Sequence, residues 1–328
     1  MTMRTLTLQL GAWLLAFAAA CSTAAAEGDS PWGRDYFPNT ELVDQDGQHL
    51  RFYDDLIAGK VVAINFIFTG CSATCPAETA RLRQVQKLLG ERVGKELFFY
   101  SISIDPAADT PEVLKAYAER FHVGPGWRFL TGDFAAITEL RQRLGLLDIR
   151  VDPQNKSEHS LSLIIGNQAT GQWMKVSPFE NPYILADRLG NSLQNWKVAS
   201  ATHNSYADAP QLRTPSPGEQ LFRTRCSACH SLGADANAMR QAIGPDLAGV
   251  TRRRERAWLE RWLREPDRML AEQDPIATAL YRQFNQIGMP NLGLGEVEVQ
   301  ALLGYLADPS ADATPRAGSA PPLQQASQ

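Results

Sequence analysis

Apart from Asn65, every residue from Val61 to Phe68 is apolar, and Thr69-Gly70 ends the run. An uninterrupted apolar, partly β-branched run of this length predicts a buried strand, and Glu78 to Val93 then repeats apolar residues at helical spacing. Leu50 to Tyr53 and Leu97 to Ile104 read as further strands. Thr110 is a good N-cap and Pro111 a good first helical residue, which opens a helix through Phe121. A short strand over Trp127 to Leu130 and an amphipathic helix over Phe134 to Leu146 follow. Leu161 to Gly166 and Gln172 to Val176 flank an Asn/Gly turn and predict a hairpin. A helix from Pro182 to about Val198 closes this α/β unit.

The pattern breaks twice after that. Residues 201–215 are polar and rich in Pro, Ser, Thr and Ala, the character of a semi-extended linker. Residues 309–328 have the same character and read as a disordered tail. Between them, 216–308 has helical periodicity only, which predicts a small all-α domain after an α/β domain over 27–200. A length of 328 residues accommodates two such domains. The composition, 44% hydrophobic and 21% charged, gives each a core, and a net charge of −4 argues against nucleic acid as a partner.

Cysteine placement carries the chemistry. Cys71 and Cys75 follow the strand Val61–Phe68 and stand at the start of the next helix. Positions i and i+4 of a helix share a face, which suits a disulfide or one metal ion held by both sulfurs. A helix N-terminus also lowers thiol pKa values, so thiolates are expected here. Pro76 is tolerated in a first turn. The order of elements is that of a thioredoxin-like α/β domain, in which the loop before the hairpin faces the cysteine-bearing helix start. His159 occupies that loop, whereas His49, His122 and His203 read as bystanders. Two thiolates and an imidazole are a donor set suited to copper, with zinc less favoured.

Residues 35–198 resemble the Sco/SenC family of copper-binding, thioredoxin-fold assembly factors for cytochrome oxidase. The resemblance rests on Cys71-x-x-x-Cys75-Pro76, Ser103-Ile-Asp-Pro106, Asp109-Thr-Pro-Glu-Val-Leu-Lys-Ala-Tyr117, Trp127-x-Phe-Leu-Thr-Gly-Asp133, and His159 ahead of the hairpin. It implies Cys71, Cys75 and His159 as ligands of one copper ion, with Cys71 and Cys75 also forming a redox pair, and a copper-accepting oxidase subunit as partner. Ser72 replaces a frequent proline, and Glu158 stands where aspartate often precedes the histidine. Neither removes a ligand. Asp105 lies near the site by pattern and reads as a turn former.

Cys226-Ser-Ala-Cys229-His230 is C-x-x-C-H, the attachment signal of a c-type haem. Both sulfurs reach the vinyl groups as thioethers and His230 faces the iron, with a carbonyl of Gly244-Pro-Asp-Leu247 to fix its ring. Met289, in the loop Gly288-Met-Pro-Asn-Leu-Gly293, provides the sixth ligand, while Met239 and Met269 read as core filler. The stretch 216–308 resembles a class I cytochrome c. That family implies packing of Gly218 and Phe222 on the terminal helix, Glu296 to Leu306, around Tyr305. Trp258, Leu259, Trp262 and Leu263 repeat at helical spacing and read as packing over the haem, with an indole bond to a propionate as the alternative. Arg252, Arg253, Arg254 and Arg256 read as a solvated face rather than a docking patch for a redox partner.

Residues 1–26 read as an export leader: Arg4, an apolar stretch from Leu6 to Ala20, then two exits. Ala24-Ala-Ala26 is a cleavage site for a soluble exported chain. Ala18-Ala-Ala20-Cys21 instead resembles a lipobox, with lipid on Cys21 and membrane attachment. Either places the chain in a bacterial periplasm. The expected function is an exported copper metallochaperone with its own haem electron carrier. A thiol–disulfide oxidoreductase and an electron-transfer cytochrome that docks through the thioredoxin-like domain are the competing readings, with a peroxidase a weaker one.

Overall fold

The computed structural model describes residues 32–72, 74–156, 160–194, 215–233 and 241–309. The leader with Cys21, the residues His159, His203 and Met239, and nearly all of the expected linker and tail lie outside the described residues.

A seven-stranded sheet forms the first unit, from β1 (Glu41–Asp44), β2 (His49–Arg51), β3 (Val61–Ile67), β4 (Leu97–Ser103), β5 (Trp127–Gly132), β6 (Leu163–Asn167) and β7 (Gln172–Val176). Its order is β2-β1-β5-β4-β3-β6-β7, with β3, β4 and β5 parallel and the flanking pairs antiparallel. Central β3 is buried on both faces, which is why its sequence does not alternate. Val61, Ala63 and Ile67 face a core completed by α1 (Thr74–Leu89), α2 (Pro111–Arg120) and α4 (Pro182–Gly190). Val62, Ile64 and Phe66 face a second core, which includes Ile137 and Leu140 of α3 (Phe134–Arg143).

Four local expectations are corrected. The strand expected over Leu50–Tyr53 ends at Arg51. The chain then coils into a π turn, Phe52–Ile57, where Asn39 Oδ1 accepts from the Tyr53 and Asp54 N–H groups at 3.1 and 3.2 Å. Strand β1 was not anticipated. It is four residues long, and its turn is held by Asp44, which accepts from the Asp46 and Gln48 N–H groups at 3.0 and 2.9 Å. Helix α3 stops at Arg143 because Gly145 turns the backbone left-handed (φ +66°). Helix α4 stops at Gly190, short of Val198, where the Asn191 side chain bonds back to Asp187 at 2.7 Å.

The second unit is helical: α5 (Pro217–Leu221) running into a π turn (Phe222–Cys226), α6 (Val250–Arg253), α7 (Arg256–Arg264), α8 (Pro266–Ala271), α9 (Pro275–Gln283) and α10 (Glu296–Ala307). Its core joins Phe222 and Cys226 to Leu259 and Leu263 of α7 and to Val299, Leu302, Leu303 and Leu306 of α10. Ser216 caps α5 by accepting from Glu219 N–H at 3.2 Å. Helices α5 and α10 cross at Gly218, where a Cβ would collide with the Ala301 carbonyl and come within 2.7 Å of Tyr305 Cβ. Phe222 packs on Tyr305 with ring centroids 5.8 Å apart.

Gly218→Ala is therefore expected to force α5 off α10, at about 3 kcal/mol, the upper end for overpacking. Residue-resolved hydrogen exchange would show lost protection in 217–221 and 296–307, with β3 amides unchanged. Unaltered protection in α10 would refute the crossing.

Candidate metal and haem sites

Cys71 and Cys75 come together, but not on one helical face. Cys71 precedes α1 in the turn after β3, and Cys75 is the second residue of the helix. The Cys75 N–H points at the Cys71 sulfur across 3.5 Å, so Cys71 Sγ lies over the opening of the helix. Thr74 Oγ1 is 4.0 Å from the same sulfur. Cys75 is wholly buried. Its thiol is not acidified as a helix N-terminus alone predicts: the hydrogen bond with Cys71, then burial, push its pKa far upward. In the metal-free chain Cys75 thus holds its proton, and a soft cation that displaces it gains a buried sulfur beside that of Cys71. His159 lies outside the described residues.

Two buried carboxyl groups flank this site, and one of them braces the turn. Asp109 is fully buried and accepts from the Thr69 N–H at 3.1 Å, the Thr69 hydroxyl at 2.5 Å and the Ser103 hydroxyl at 2.5 Å. It ties the Thr69-Gly70-Cys71 turn to the end of β4. The only trace in the sequence is a carboxylate immediately before an N-cap threonine that already serves the helix. Asp105 forms the neighbouring turn, as expected, and pairs with Lys156 at 2.5 Å. Glu78, one turn below Cys75, accepts from Asn65 Nδ2 at 2.9 Å, and its second oxygen has no hydrogen-bond partner among the described residues. This explains the lone polar residue of β3. A chain continues from Asn65 through Ser101 to the Trp127 indole, at 2.7 and 2.9 Å. Burial foremost, then the charge of Cys71, raises the Glu78 pKa to about 8, against the lowering effect of the Asn65 bond.

The other four predicted residues meet at one place. A cavity of about 500 Å³ is lined by Cys226, Cys229, His230 and Met289, and an adjoining one of about 440 Å³ shares Cys226, His230 and Met289. His230 Nδ1 is 2.9 Å from the Pro245 carbonyl, so a proton on Nδ1 leaves Nε2 free to ligate. A Cβ on Gly244 would lie 2.8 Å from the His230 ring, so glycine is what lets the ring seat there. Burial lowers the His230 pKa and keeps it neutral, as ligation requires. It raises the Cys226 and Cys229 thiols to about 11 and about 12, so neither is an acidic exchange thiol. An apolar double cavity with two sulfurs, an oriented imidazole and a thioether fits a covalently held haem. Met269 is buried filler. Trp262 lines both cavities and stacks on Trp258 at 5.4 Å. The Trp258 indole N–H donates to Asp274 at 3.2 Å, so that indole is engaged within the protein. Arg253 and Arg254 bond to backbone carbonyls and Arg256 to Glu260, and Arg252, Arg253 and Arg256 are exposed.

The two sites adjoin. On α1, Arg81 donates to the Thr224 carbonyl, Gln84 Nε2 to the Ser227 carbonyl at 2.7 Å, and Arg83 to the Gln241 carbonyl at 3.3 Å. Ile243 enters the core beneath α1, with Ala228, Cys229 and Ile287 packed against it. Ala77 and Arg81 line the larger cavity.

The family profile described as SCO1/SenC matches residues 31–194, half of the chain, and that described as cytochrome c matches 215–309. The chain belongs to the SCO1/SenC family. It is a Sco-like thioredoxin-fold domain fused to a helical cytochrome c domain. An SCO2-like protein of Rickettsia prowazekii is 31% identical over 119 residues, 36% of this chain, and the chain spans 56% of that relative's length. A SCO1/SenC family lipoprotein of Bacillus anthracis is 29% identical at a TM-score of 0.42, covering 48% of this chain and 94% of its own. The cytochrome c domain of a Pseudomonas putida protein is 54% identical at a TM-score of 0.27, covering 29% of this chain and 88% of its own. No described helix of the Sco-like protein is long and apolar enough to cross a membrane.

The raised pKa of Glu78 has a consequence for stability. The folded chain keeps a proton that the unfolded chain releases near 4.5, so stability falls as pH rises from there to about 8. Glu78→Gln in metal-free protein is expected to gain on the order of 2–4 kcal/mol over wild type between pH 5 and 8. Denaturant unfolding at several pH values measures this, and parallel pH profiles for the two proteins would refute it.

Proposed function

We propose that the chain is an exported metallochaperone that carries one copper ion on Cys71, Cys75 and His159 for a copper centre of cytochrome oxidase. Its cytochrome c domain carries one haem, joined to Cys226 and Cys229 and ligated by His230 and Met289. The observation that carries this reading is that α1 opens at the Cys71–Cys75 pair and, through Ala77 and Arg81, walls the haem cavity. Copper is cargo here. Cys71 accepts the Cys75 N–H in its metal-free form, and both sulfurs release their proton to take the ion. Asp109 holds the Cys71 turn in place through Thr69. Membrane attachment through lipid on Cys21 belongs to the same reading, as does a separate redox partner for the haem.

When bound, the haem supplies one-electron exchange, which matches Cu(I)/Cu(II) and not the two-electron dithiol couple. Oxidoreductase dithiols lie at about −120 to −270 mV, whereas a His/Met axial pair raises a haem potential, so delivery of electrons to a Cys71–Cys75 disulfide is uphill.

Copper titration of the reduced chain tests the ligand set. His159→Ala, Cys71→Ser and Cys75→Ser are each expected to weaken binding at least tenfold and to change the thiolate-to-copper absorption. Wild-type affinity and spectrum in His159→Ala would remove His159 from the site. A second experiment separates the chaperone from the oxidoreductase. Copper-free protein with ferrous haem and an oxidised Cys71–Cys75 pair is expected, without oxygen, to hold its haem spectrum and show no new thiols. Stoichiometric haem oxidation with thiols appearing would favour the oxidoreductase.

A further inference from the structure

Arg81 is 3% exposed, yet no described carboxylate lies within 4.0 Å of it. Its guanidinium donates to Gln84 Oε1 at 2.9 Å and to the Thr224 carbonyl, both neutral, and its Nε has no hydrogen-bond partner among the described residues. A buried charge without a counter-charge is costly, and arginine cannot escape by losing its proton. The side chain nonetheless lines the cavity shared by Cys226, Cys229 and His230. Of the other arginines on the two cavities, Arg225 is exposed and lies 3.8 Å from Glu298, while Arg253 and Arg254 bond carbonyls nearer the surface. Only Arg81 among these four is buried, and it comes from the Sco-like domain.

We propose that Arg81 is a cation contributed by the Sco-like domain to the haem centre, a positioning residue that holds the haem-attachment turn and biases the haem toward its ferrous form. The inference rests on the haem assignment proposed above. Reduction adds one negative charge to the centre. A fixed cation in a poorly solvated wall stabilises that charge more than it would in water. Arg81 lies six residues beyond Cys75 on α1, about 9 Å along the helix axis. The helix that opens at the dithiol thus also sets the field at the haem.

The test uses the full chain, matured with its haem, and reads the midpoint potential by spectroelectrochemistry. At the wild-type midpoint, Arg81→Gln is expected to lower the ferrous-to-ferric ratio about tenfold, equivalent to about 59 mV for one electron. Arg81→Lys, which keeps the charge, should stay within about threefold of wild type. Gln84→Ala removes the neighbouring bond to Ser227 without changing charge and should also stay within about threefold. The offset of Arg81→Gln should persist between low and high salt, because the charge is buried. An unmoved potential in Arg81→Gln overturns the inference. Equal shifts in Arg81→Gln and either control also overturn it, since the effect would then be mechanical. Covalent haem and the sulfur-to-iron band, lost in Met289→Ala, are checked in every protein. Their absence from wild type refutes the haem assignment itself, whereas their presence with an unmoved Arg81→Gln refutes only the role of Arg81.

Discussion

Helix α1 is enclosed on both sides. Of its sixteen residues only Lys87 and Leu88 are exposed, because the sheet takes one face and α4, the loop after α2 and the cytochrome c domain share the rest. Leu82, Val85 and Leu89 enter the core with β3, while Arg81, Arg83 and Gln84 donate to backbone carbonyls of the second domain. A helix held in this way cannot tilt or slide without breaking one of two interfaces. The N-terminal turn that carries Cys75 is therefore fixed relative to the turn that carries Cys226 and Cys229. Two domains joined only by a linker would not impose that.

Enclosure has an electrostatic cost, and the polar residues of α1 show how it is met. Glu78 is relieved by holding its proton and by one bond from Asn65, a group that β3 would otherwise have no reason to carry. Its second oxygen stays unpartnered among the described residues, at a cost of about 1–3 kcal/mol for a buried polar atom. Arg83 finds three carbonyl or amide oxygens, two of them on Gln241. Asp109 does the reverse, keeping a carboxylate buried by giving it three donors around the Cys71 turn. Stability and site geometry are set by the same bonds.

Much of this was legible along the chain, and the parts that were not share a cause. The apolar run of β3, the Thr110-Pro111 start of α2 and the terminal helix α10 are local signals, and the structure keeps them. The packing of Gly218 on α10 followed from family pattern, and a carbonyl on His230 from the Gly244–Leu247 stretch after the attachment motif, where it proves to be that of Pro245. Strand β1 escaped because four residues are too few to show alternation, and its pairing with β5 is made far along the chain. The helical face drawn through Cys71 and Cys75 failed because the helix begins at Thr74. Arg81, Arg83 and Gln84 have the composition of a solvated face. Their burial depends on a partner surface more than a hundred residues away, which no local pattern reports.

The two cysteine pairs differ in spacing by one residue, and that difference separates their chemistry. With three residues between them, Cys71 stays outside the helix while Cys75 enters it, and the Cys75 N–H meets the Cys71 sulfur at the helix opening while the Cys75 thiol holds its proton. A soft ion can displace the thiol protons, or an oxidant can take two electrons as they leave and join the sulfurs, and the half-buried Cys71 leaves a route for either. With two residues between them, Cys226 and Cys229 lie along one tight turn closed by the Cys229 and His230 N–H groups on the Cys226 carbonyl, at 3.1 and 3.0 Å. Burial raises both thiols, so exchange with solvent oxidants is disfavoured and a permanent bond is the use that suits them. On the proposed assignment, a labile sulfur pair and a fixed one would sit on neighbouring elements, kept apart by the different surroundings of their thiols.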